Sequence, residues 1–234
     1  MTLENEWSVM VNGSWQDSNI STLGGGTVVG KGQVYGVRFM KTLPAEKGWF
    51  HSLSAGMDYK DFIQDVNAGG AVIASPIVYY PFTLSYSLSR VEEHSFTEFN
   101  TSVVLHLRGM GGSQNDFNNR RRGARDNFFY LRADLSHTHD LPGGMQFYTR
   151  VQGQISPSAL INTEQIAAGG INTVRGYLIA TQLGDSGIMG SMELRSPSFI
   201  GDGKEKANDW RAYFFAEGAQ LAVNDPLAGE KHGH

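Results

Sequence analysis

In the stretch Phe129-Tyr130-Leu131-Arg132-Ala133-Asp134-Leu135-Ser136, apolar side chains alternate with polar ones. Successive side chains of a β-strand point to opposite faces of a sheet, so one face of this strand is apolar and the other is polar. The stretch therefore predicts a strand that lies between an apolar and a polar environment.

The same alternation recurs along most of the chain. Its apolar positions are Trp7, Val9, Val11 and Trp15; Leu53, Ala55, Met57 and Tyr59; Val78, Tyr80, Phe82, Leu84, Tyr86 and Leu88; Val103, Leu105 and Leu107; Met145, Phe147 and Val151; Met192 and Leu194. Weaker strands are expected near 33–41 and 209–222. About nine strands result, each near the ~10 residues of a tilted membrane-spanning strand.

The predicted connections are short and long in turn. Tight turns are expected at 43–48, 91–93 and 141–144, where Pro and Gly supply the required dihedral angles. Long polar or Gly-rich loops are expected at 17–32, 62–76, 109–127 and 157–187. Short periplasmic turns opposite long extracellular loops are typical of an outer-membrane barrel.

Composition excludes several classes of protein. With 29 Gly and only 18% charged residues, the chain suits a β protein with many turns rather than a helical enzyme. It has no Cys for a disulfide or a thiolate metal site, and its net charge of −4 argues against a nucleic-acid partner. No apolar run is long enough for a transmembrane helix. Residues 1–7 lack the features of a signal peptide, which conflicts with export unless the sequence starts inside a longer protein.

A soluble β-sandwich also alternates apolar and polar positions, so the two folds must be separated by the environment of each face. In a membrane barrel the apolar face meets lipid, because Arg at mid-membrane depth on that face would cost about 2–4 kcal/mol. We therefore predict that one set of residues faces outward and another faces the interior. The outward set is Val103, Leu105, Leu107, Phe129, Leu131 and Leu135; the interior set is Arg132, Asp134, Arg150 and Gln152.

Four motifs near the C-terminal end are more specific. Gly169-Gly170-Ile171-Asn172-Thr173-Val174-Arg175-Gly176-Tyr177 lies in the longest loop and is followed by Gly184-Asp185-Ser186-Gly187 and Glu193-Leu194-Arg195. This succession resembles the lid loop and following strand of two-partner secretion transporters, the haemolysin-activator branch of the outer-membrane assembly superfamily. Phe215-Ala216-Glu217-Gly218 resembles the aromatic-x-acid motif that partners that loop. Further segments similar to the family lie at 14–18, 30–32, 58–62, 127–132 and 141–144.

The resemblance implies an all-β fold, a transmembrane antiparallel up-and-down barrel with a long lid loop. Family barrels have about sixteen strands and follow periplasmic POTRA domains. We therefore expect 1–226 to be an incomplete barrel portion, with the lid loop at 157–187 and a tail at 227–234, and without the POTRA domains and the first and last strands. Because an open sheet edge leaves backbone groups unpaired in lipid, such a chain would be a fragment or would form a homo-oligomer.

The resemblance also implies a site in the lumen. Val174, Arg175, Gly176 and Tyr177 form the lid-loop motif, and a loop folded into a wide lumen needs an anchor such as a guanidinium bound to a carboxylate. Strand parity places Arg211, Tyr213, Phe215 and Glu217 in the lumen, opposite Trp210, Ala212, Phe214 and Ala216. Arg175 is therefore predicted to bind Glu217, next to Phe215. Glu193, Arg195 and Asp185 are candidates for the same network, although Asp185 between glycines also suits a turn.

The remaining polar clusters favour solvent. Arg120, Arg121, Arg122 and Arg125 could bind lipopolysaccharide phosphates or a secreted protein, but a solvated loop is the simpler interpretation. His137 and His139 share a face but lack a third metal ligand nearby in sequence, and His232 and His234 lie in the tail. No arrangement typical of an enzyme is present, and no metal or other cofactor is implied.

The sequence thus predicts a translocation pore in the outer membrane of a Gram-negative bacterium, which secretes an unidentified partner protein through its lumen and contacts lipid and lipopolysaccharide outside. One alternative is a reduced or oligomeric outer-membrane barrel for protein insertion or solute passage. The other is a soluble β-barrel or sandwich that binds a ligand.

Overall fold

A single antiparallel sheet dominates the computed structural model, which describes residues 2–3, 7–21, 27–68, 71–199, 210–226 and 233. The strands are β1 (Thr2–Leu3), β2 (Trp7–Ser21), β3 (Thr27–Thr42), β4 (Trp49–Ala68), β5 (Ala71–Ala74), β6 (Ile77–Tyr79), β7 (Phe82–Val91), β8 (Ser95–His106), β9 (Phe128–Leu141), β10 (Met145–Ile155), β11 (Ile166–Ala168), β12 (Gln182–Gly184), β13 (Ser186–Arg195) and β14 (Tyr213–Ala222). Helix α1 spans Gln114–Arg120, and a 3₁₀ turn spans Pro142–Gly144.

Each long strand pairs with the next long strand along the chain. The order is β1-β2-β3-β4-β7-β8-β9-β10-β13-β14, with β5 and β6 paired to β4. Apart from the two-residue β1, this path contains the nine long strands that the alternation predicts. The sheet is open, because β14 pairs with neither β1 nor β2 within the described residues. The fold is therefore an up-and-down antiparallel sheet of the barrel type.

Two of the expected loops are strands instead. Pairing continues along β2 and β3 as far as Ser21 and Thr27, and along β4 and β5 as far as Ala68 and Ala71. The predictions of loops at 17–32 and 62–76 are therefore wrong. The reason is that these stretches lack the alternation of apolar and polar residues on which the prediction of strands depends. The run Gly24 to Gly26 lies outside the described residues.

The short connections agree with the sequence. Backbone with positive φ makes the turns, at Lys47 and Gly48 between β3 and β4 and at Gly143 and Gly144 between β9 and β10. Such φ values favour glycine, which explains why three of these four positions carry it. The turns β3–β4, β7–β8 and β9–β10 lie at one end of the sheet, and the loops of residues 107–127 and 156–185 lie at the other.

The two faces of the sheet carry the two sets of residues that the alternation predicts. Phe129, Leu131 and Leu135 of β9 are exposed on the outer face, by 56%, 43% and 45% respectively. On the other face Arg150 Nη2 donates to Asp134 Oδ2 over 2.7 Å, and Gln152 contacts the same carboxylate. The only other sheet among the described residues is the hairpin β11–β12, so the two packed sheets of a soluble sandwich are absent there. None of the described helices has the length and apolarity required to cross a membrane.

Apolar residues collect under the long loops on the inner face. One cluster joins strands β6, β8 and β9 to α1 and the loop after β10; its buried members are Ile77, Tyr79, Val104, Phe117, Ala124, Phe128, Tyr130, Leu160 and Ile161. Helix α1 is fixed at its start by a capping box between Ser113 and Asp116. The long loops therefore pack over the polar face of the sheet instead of extending into solvent.

Candidate functional site

The lid loop joins β10 to β13 and comprises residues 156–185, slightly less than the 157–187 expected. Its base is the hairpin of β11 and β12 with the segment 156–165, and its tip is residues 169–181. Ile166 and Ala168 of the hairpin are buried against Met189 and Leu221 of the sheet. The loop expected from the sequence therefore contains a hairpin, and its base packs against the sheet.

Glycines shape the tip of the lid loop. Gly169, Gly170 and Gly176 have φ values of 109°, 99° and 89°, which side chains rarely adopt. A Cβ on Gly169 would also lie 2.3 Å from the Leu178 carbonyl oxygen. These glycines let the chain turn sharply before and within the motif from Val174 to Tyr177.

Arg175 connects the tip to the sheet. Its Nη2 and Nε lie 2.6 and 2.7 Å from Glu217 Oε1, and its backbone N–H donates to Glu217 Oε2 over 2.7 Å. The Glu217 side chain is 6% exposed and that of Arg175 is 26% exposed. The carboxylate thus receives donors from both the side chain and the backbone of one loop residue, in the contact expected from strand parity.

The neighbours of Arg175 extend the network along the inner face. Its Nη2 lies 2.9 Å from Glu193 Oε2, and its guanidinium stacks 3.6 Å above the centre of the Phe215 ring. Arg195 Nε in turn donates to Glu193 Oε1 over 2.6 Å. Hydrogen bonding to Glu217 raises the pKa of Arg175, so this residue stays cationic. Glu193 and Arg195 therefore join the network. Of the other motif residues, Val174 is partly buried and Tyr177 is 65% exposed.

Asp185 does not join this network, which corrects one of the sequence interpretations. It immediately precedes β13, whereas Glu193 lies near the other end of that strand, about 26 Å away at ~3.3 Å per residue. Asp185 is fully buried and pairs with Arg121, whose Nη1 and Nη2 donate to its two oxygens over 2.7 and 3.0 Å. It is therefore a buried ion-pair partner rather than only a turn residue.

The basic cluster after α1 is also different from the expected solvated loop. Arg121 is 15% exposed and pairs with the buried Asp185, and Arg120 donates to the Phe62 carbonyl over 2.6 Å. Arg122 and Arg125 are exposed. The cluster thus divides into two arginines that hold the fold together and two that face solvent.

A buried carboxylate that the sequence analysis missed lies in the base of the lid loop. Glu164 is 1% exposed and receives Lys60 Nζ at 2.6 Å, Tyr79 Oη at 2.5 Å and Tyr130 Oη at 2.7 Å. These three donors come from β4, β6 and β9. One signal was available: Glu164 and Asp185 are the only two acidic residues between 156 and 187. Carboxylates this sparse in a long polar loop favour specific partners, but the sequence does not identify them.

The histidine pair shows no metal arrangement. The rings of His137 and His139 stack with centroids 6.1 Å apart, and His137 Nδ1 lies 2.8 Å from Thr97 Oγ1. In the described part of the chain no three His, Cys, Asp or Glu side chains are grouped to hold a metal. His232 and His234 lie outside the described residues.

The sequence matches a known family of proteins. The sequence model of the haemolysin secretion/activation protein family ShlB/FhaC/HecB matches residues 6–215, which is most of the chain. The chain belongs to this family. Its members are two-partner secretion transporters, which are barrels of the outer membrane. They are protein transporters rather than enzymes. Comparison with curated proteins gives no significant match.

Two solved structures share the fold of this ShlB/FhaC/HecB family member. CdiB from Escherichia coli is similar at 16% identity with a TM-score of 0.68, over 92% of this chain and 44% of the CdiB chain. CdiB from Acinetobacter baumannii is similar at 16% identity with a TM-score of 0.64, over 93% of this chain and 37% of the other. The chain thus spans less than half the length of either structure.

Proposed function

We propose that residues 1–226 form part of the wall of an outer-membrane pore that secretes an unfolded partner protein. Membership of a two-partner secretion family and the polar inner face support this function. The observation that carries the proposal is the contact of Arg175 with Glu217 and Glu193, because it ties a loop across the polar face along which the partner would pass.

In this proposal the lid loop is the gate and Arg175 is its anchor. Hydrogen bonds to charged groups contribute about 1.5–3 kcal/mol each, less where water reaches them, so a few hold the loop against thermal motion. They can also be exchanged for contacts with a passing polypeptide. The backbone N–H of Arg175 adds geometric specificity, because the anchor then depends on the shape of the motif as well as on its charge.

Replacement of Arg175 by alanine tests the gate. In the complete transporter we expect Arg175→Ala to raise the mean conductance in planar bilayers and to lower secretion, because the tip is no longer held over the lumen. The matched control is Arg150→Ala, which removes another arginine–carboxylate pair from the same face, away from the loop. Conductance and secretion equal to those of the control would contradict an anchoring role.

A reduced or oligomeric barrel for protein insertion or solute passage is a second candidate, favoured by the open sheet. Each unpaired backbone group in lipid costs several kcal/mol, so the edges at β2 and β14 require partner strands. Further barrel strands or a second copy of the chain would both supply them. The number of copies in one pore distinguishes this candidate from the secretion pore.

The outer surface suits the proposed membrane. Its exposed apolar positions, such as Leu131 and Val151, would contact lipid chains. The exposed Arg122 and Arg125 at the long-loop end are available for lipopolysaccharide phosphates, which cationic side chains bind.

A further inference from the structure

We infer that the base of the lid loop is a fixed part of the barrel wall, held by the buried carboxylates Glu164 and Asp185, and that the moving gate is the tip alone. This inference rests on the proposed role of the lid loop as a gate. It divides a loop of 30 residues, from 156 to 185, into a static and a mobile part and assigns positioning roles to two residues outside the lid motif.

Glu164 holds the first part of the base, which follows β10. Its carboxylate is the common acceptor for Lys60, Tyr79 and Tyr130, which belong to three different strands. At 1% exposure, water cannot replace these donors while the loop stays in place. Lifting the base would leave Lys60 beside two phenols without its carboxylate, and breaking such a buried pair is far more costly than breaking an exposed one.

Asp185 holds the last part of the base, which leads into β13. Besides the two bonds from Arg121, its oxygens accept from the backbone N–H of Leu160 at 2.9 Å and of Asn224 at 2.7 Å. One carboxylate thereby connects the segment after α1, the start of the lid loop and the chain beyond β14. Because these segments are distant in sequence, the contact holds the whole long-loop end together.

Gln154 of β10 connects the two carboxylate sites. Its side-chain amide donates to the Glu164 carbonyl over 3.1 Å and to the Asp185 carbonyl over 3.0 Å, and it is 1% exposed. Its Oε1 accepts from Arg132 Nε over 2.9 Å. Together with the buried hairpin residues, these bonds give the base the packing of a strand pair rather than of a loop.

The tip has none of this support. Ile171, Leu178 and Ile179 are 78%, 83% and 85% exposed. Within the described residues, the polar contacts between tip and sheet all involve Arg175. Gly169 and Gly170 bound the tip on one side and Ala180, with φ of 53°, bounds it on the other. Release of one residue would therefore free this segment, while the base keeps its contacts.

Hydrogen exchange measured by mass spectrometry on the complete transporter in detergent micelles tests the division. We expect Glu217→Gln to raise exchange in 169–181 by about tenfold or more, and to leave 157–168 and 182–187 at the wild-type rate. Glu164→Gln should raise exchange in 157–168 by a similar factor. The control is Asp134→Asn, which alters the inner wall at Arg150 and should change neither part of the loop.

Two results would overturn the inference. One is a rise across both tip and base in Glu217→Gln, which would show that the loop opens as one body. The other is an unchanged base in Glu164→Gln. If Glu164→Gln does not fold, Tyr130→Phe is the substitute, because it removes one donor to Glu164 and keeps Lys60. Hydrogen exchange of the base at the wild-type rate in Tyr130→Phe would equally contradict the inference. Hydrogen exchange is measured without secretion. The result of this test therefore does not depend on whether Arg175→Ala changes conductance.

Discussion

At the scale of single residues, the lid loop carries three charged contacts with different exposures. The pair formed by Arg175 and Glu217 is partly open to water, whereas Glu164 and Asp185 are 1% and 0% exposed. A more solvated pair is more easily broken and remade, whereas a pair with a fully buried carboxylate resists separation because no water reaches that carboxylate to replace its partner. Exposure thus separates the contact suited to gating from those suited to holding the fold.

Removal of Arg121 should expose the role of Asp185. In Arg121→Met the carboxylate stays buried without its cation, so the free energy of unfolding should fall by about 3–5 kcal/mol, measured by urea titration in lipid vesicles. The control Arg122→Met removes an exposed neighbour and should change stability by about 0.5 kcal/mol or less. Equal stability of the two variants would show that the Asp185 contact contributes little.

At the scale of elements, β9 determines how the sheet meets its surroundings. Leu131 lies on its exposed face and should contact lipid, so Leu131→Arg should destabilise the complete transporter in vesicles by about 2–4 kcal/mol if it lies near the bilayer midplane. Asn100→Arg is the control, since Asn100 of β8 is on the inner face and pairs in register with Asp134. Reversible urea unfolding measures both, and an equal loss of stability would contradict the assignment of the faces.

The alternation of apolar and polar residues predicts some elements of the fold and misses others. Alternation predicts strands such as β9 and β10 because each lies between two solvents of different polarity. It misses the parts of β2, β3 and β4 within 17–32 and 62–68, where apolar and polar residues do not alternate in the sequence. Strand parity places Glu217 on the inner face, and the resemblance of residues 169–177 to the lid-loop motif of the family adds Arg175 as its partner. The contact of Arg121 with Asp185 joins residues 64 apart through two loops, and no periodicity encodes how loops fold over a sheet.

At the scale of the whole molecule, the open sheet has one apolar and one polar surface, with the long loops packed on the polar one. This combination is unstable as an isolated sheet in water or lipid, because the two faces and the two edges require different partners. A barrel wall with lipid outside and a water-filled lumen inside satisfies both faces. Further strands at β2 and β14 satisfy the edges.

The most direct test of this account is a cysteine scan of residues 129–136, made feasible by the absence of native cysteine. Each single-cysteine variant, reconstituted in lipid vesicles, carries a spin label whose collisions with oxygen and with a water-soluble nickel chelate are measured. A membrane-spanning wall predicts a period of two, with Phe129, Leu131, Ala133 and Leu135 accessible to oxygen and Arg132, Asp134 and Ser136 accessible to nickel. Tyr130 is buried under the lid loop and should be accessible to neither. Equal access to nickel along the whole stretch would contradict a membrane-spanning wall.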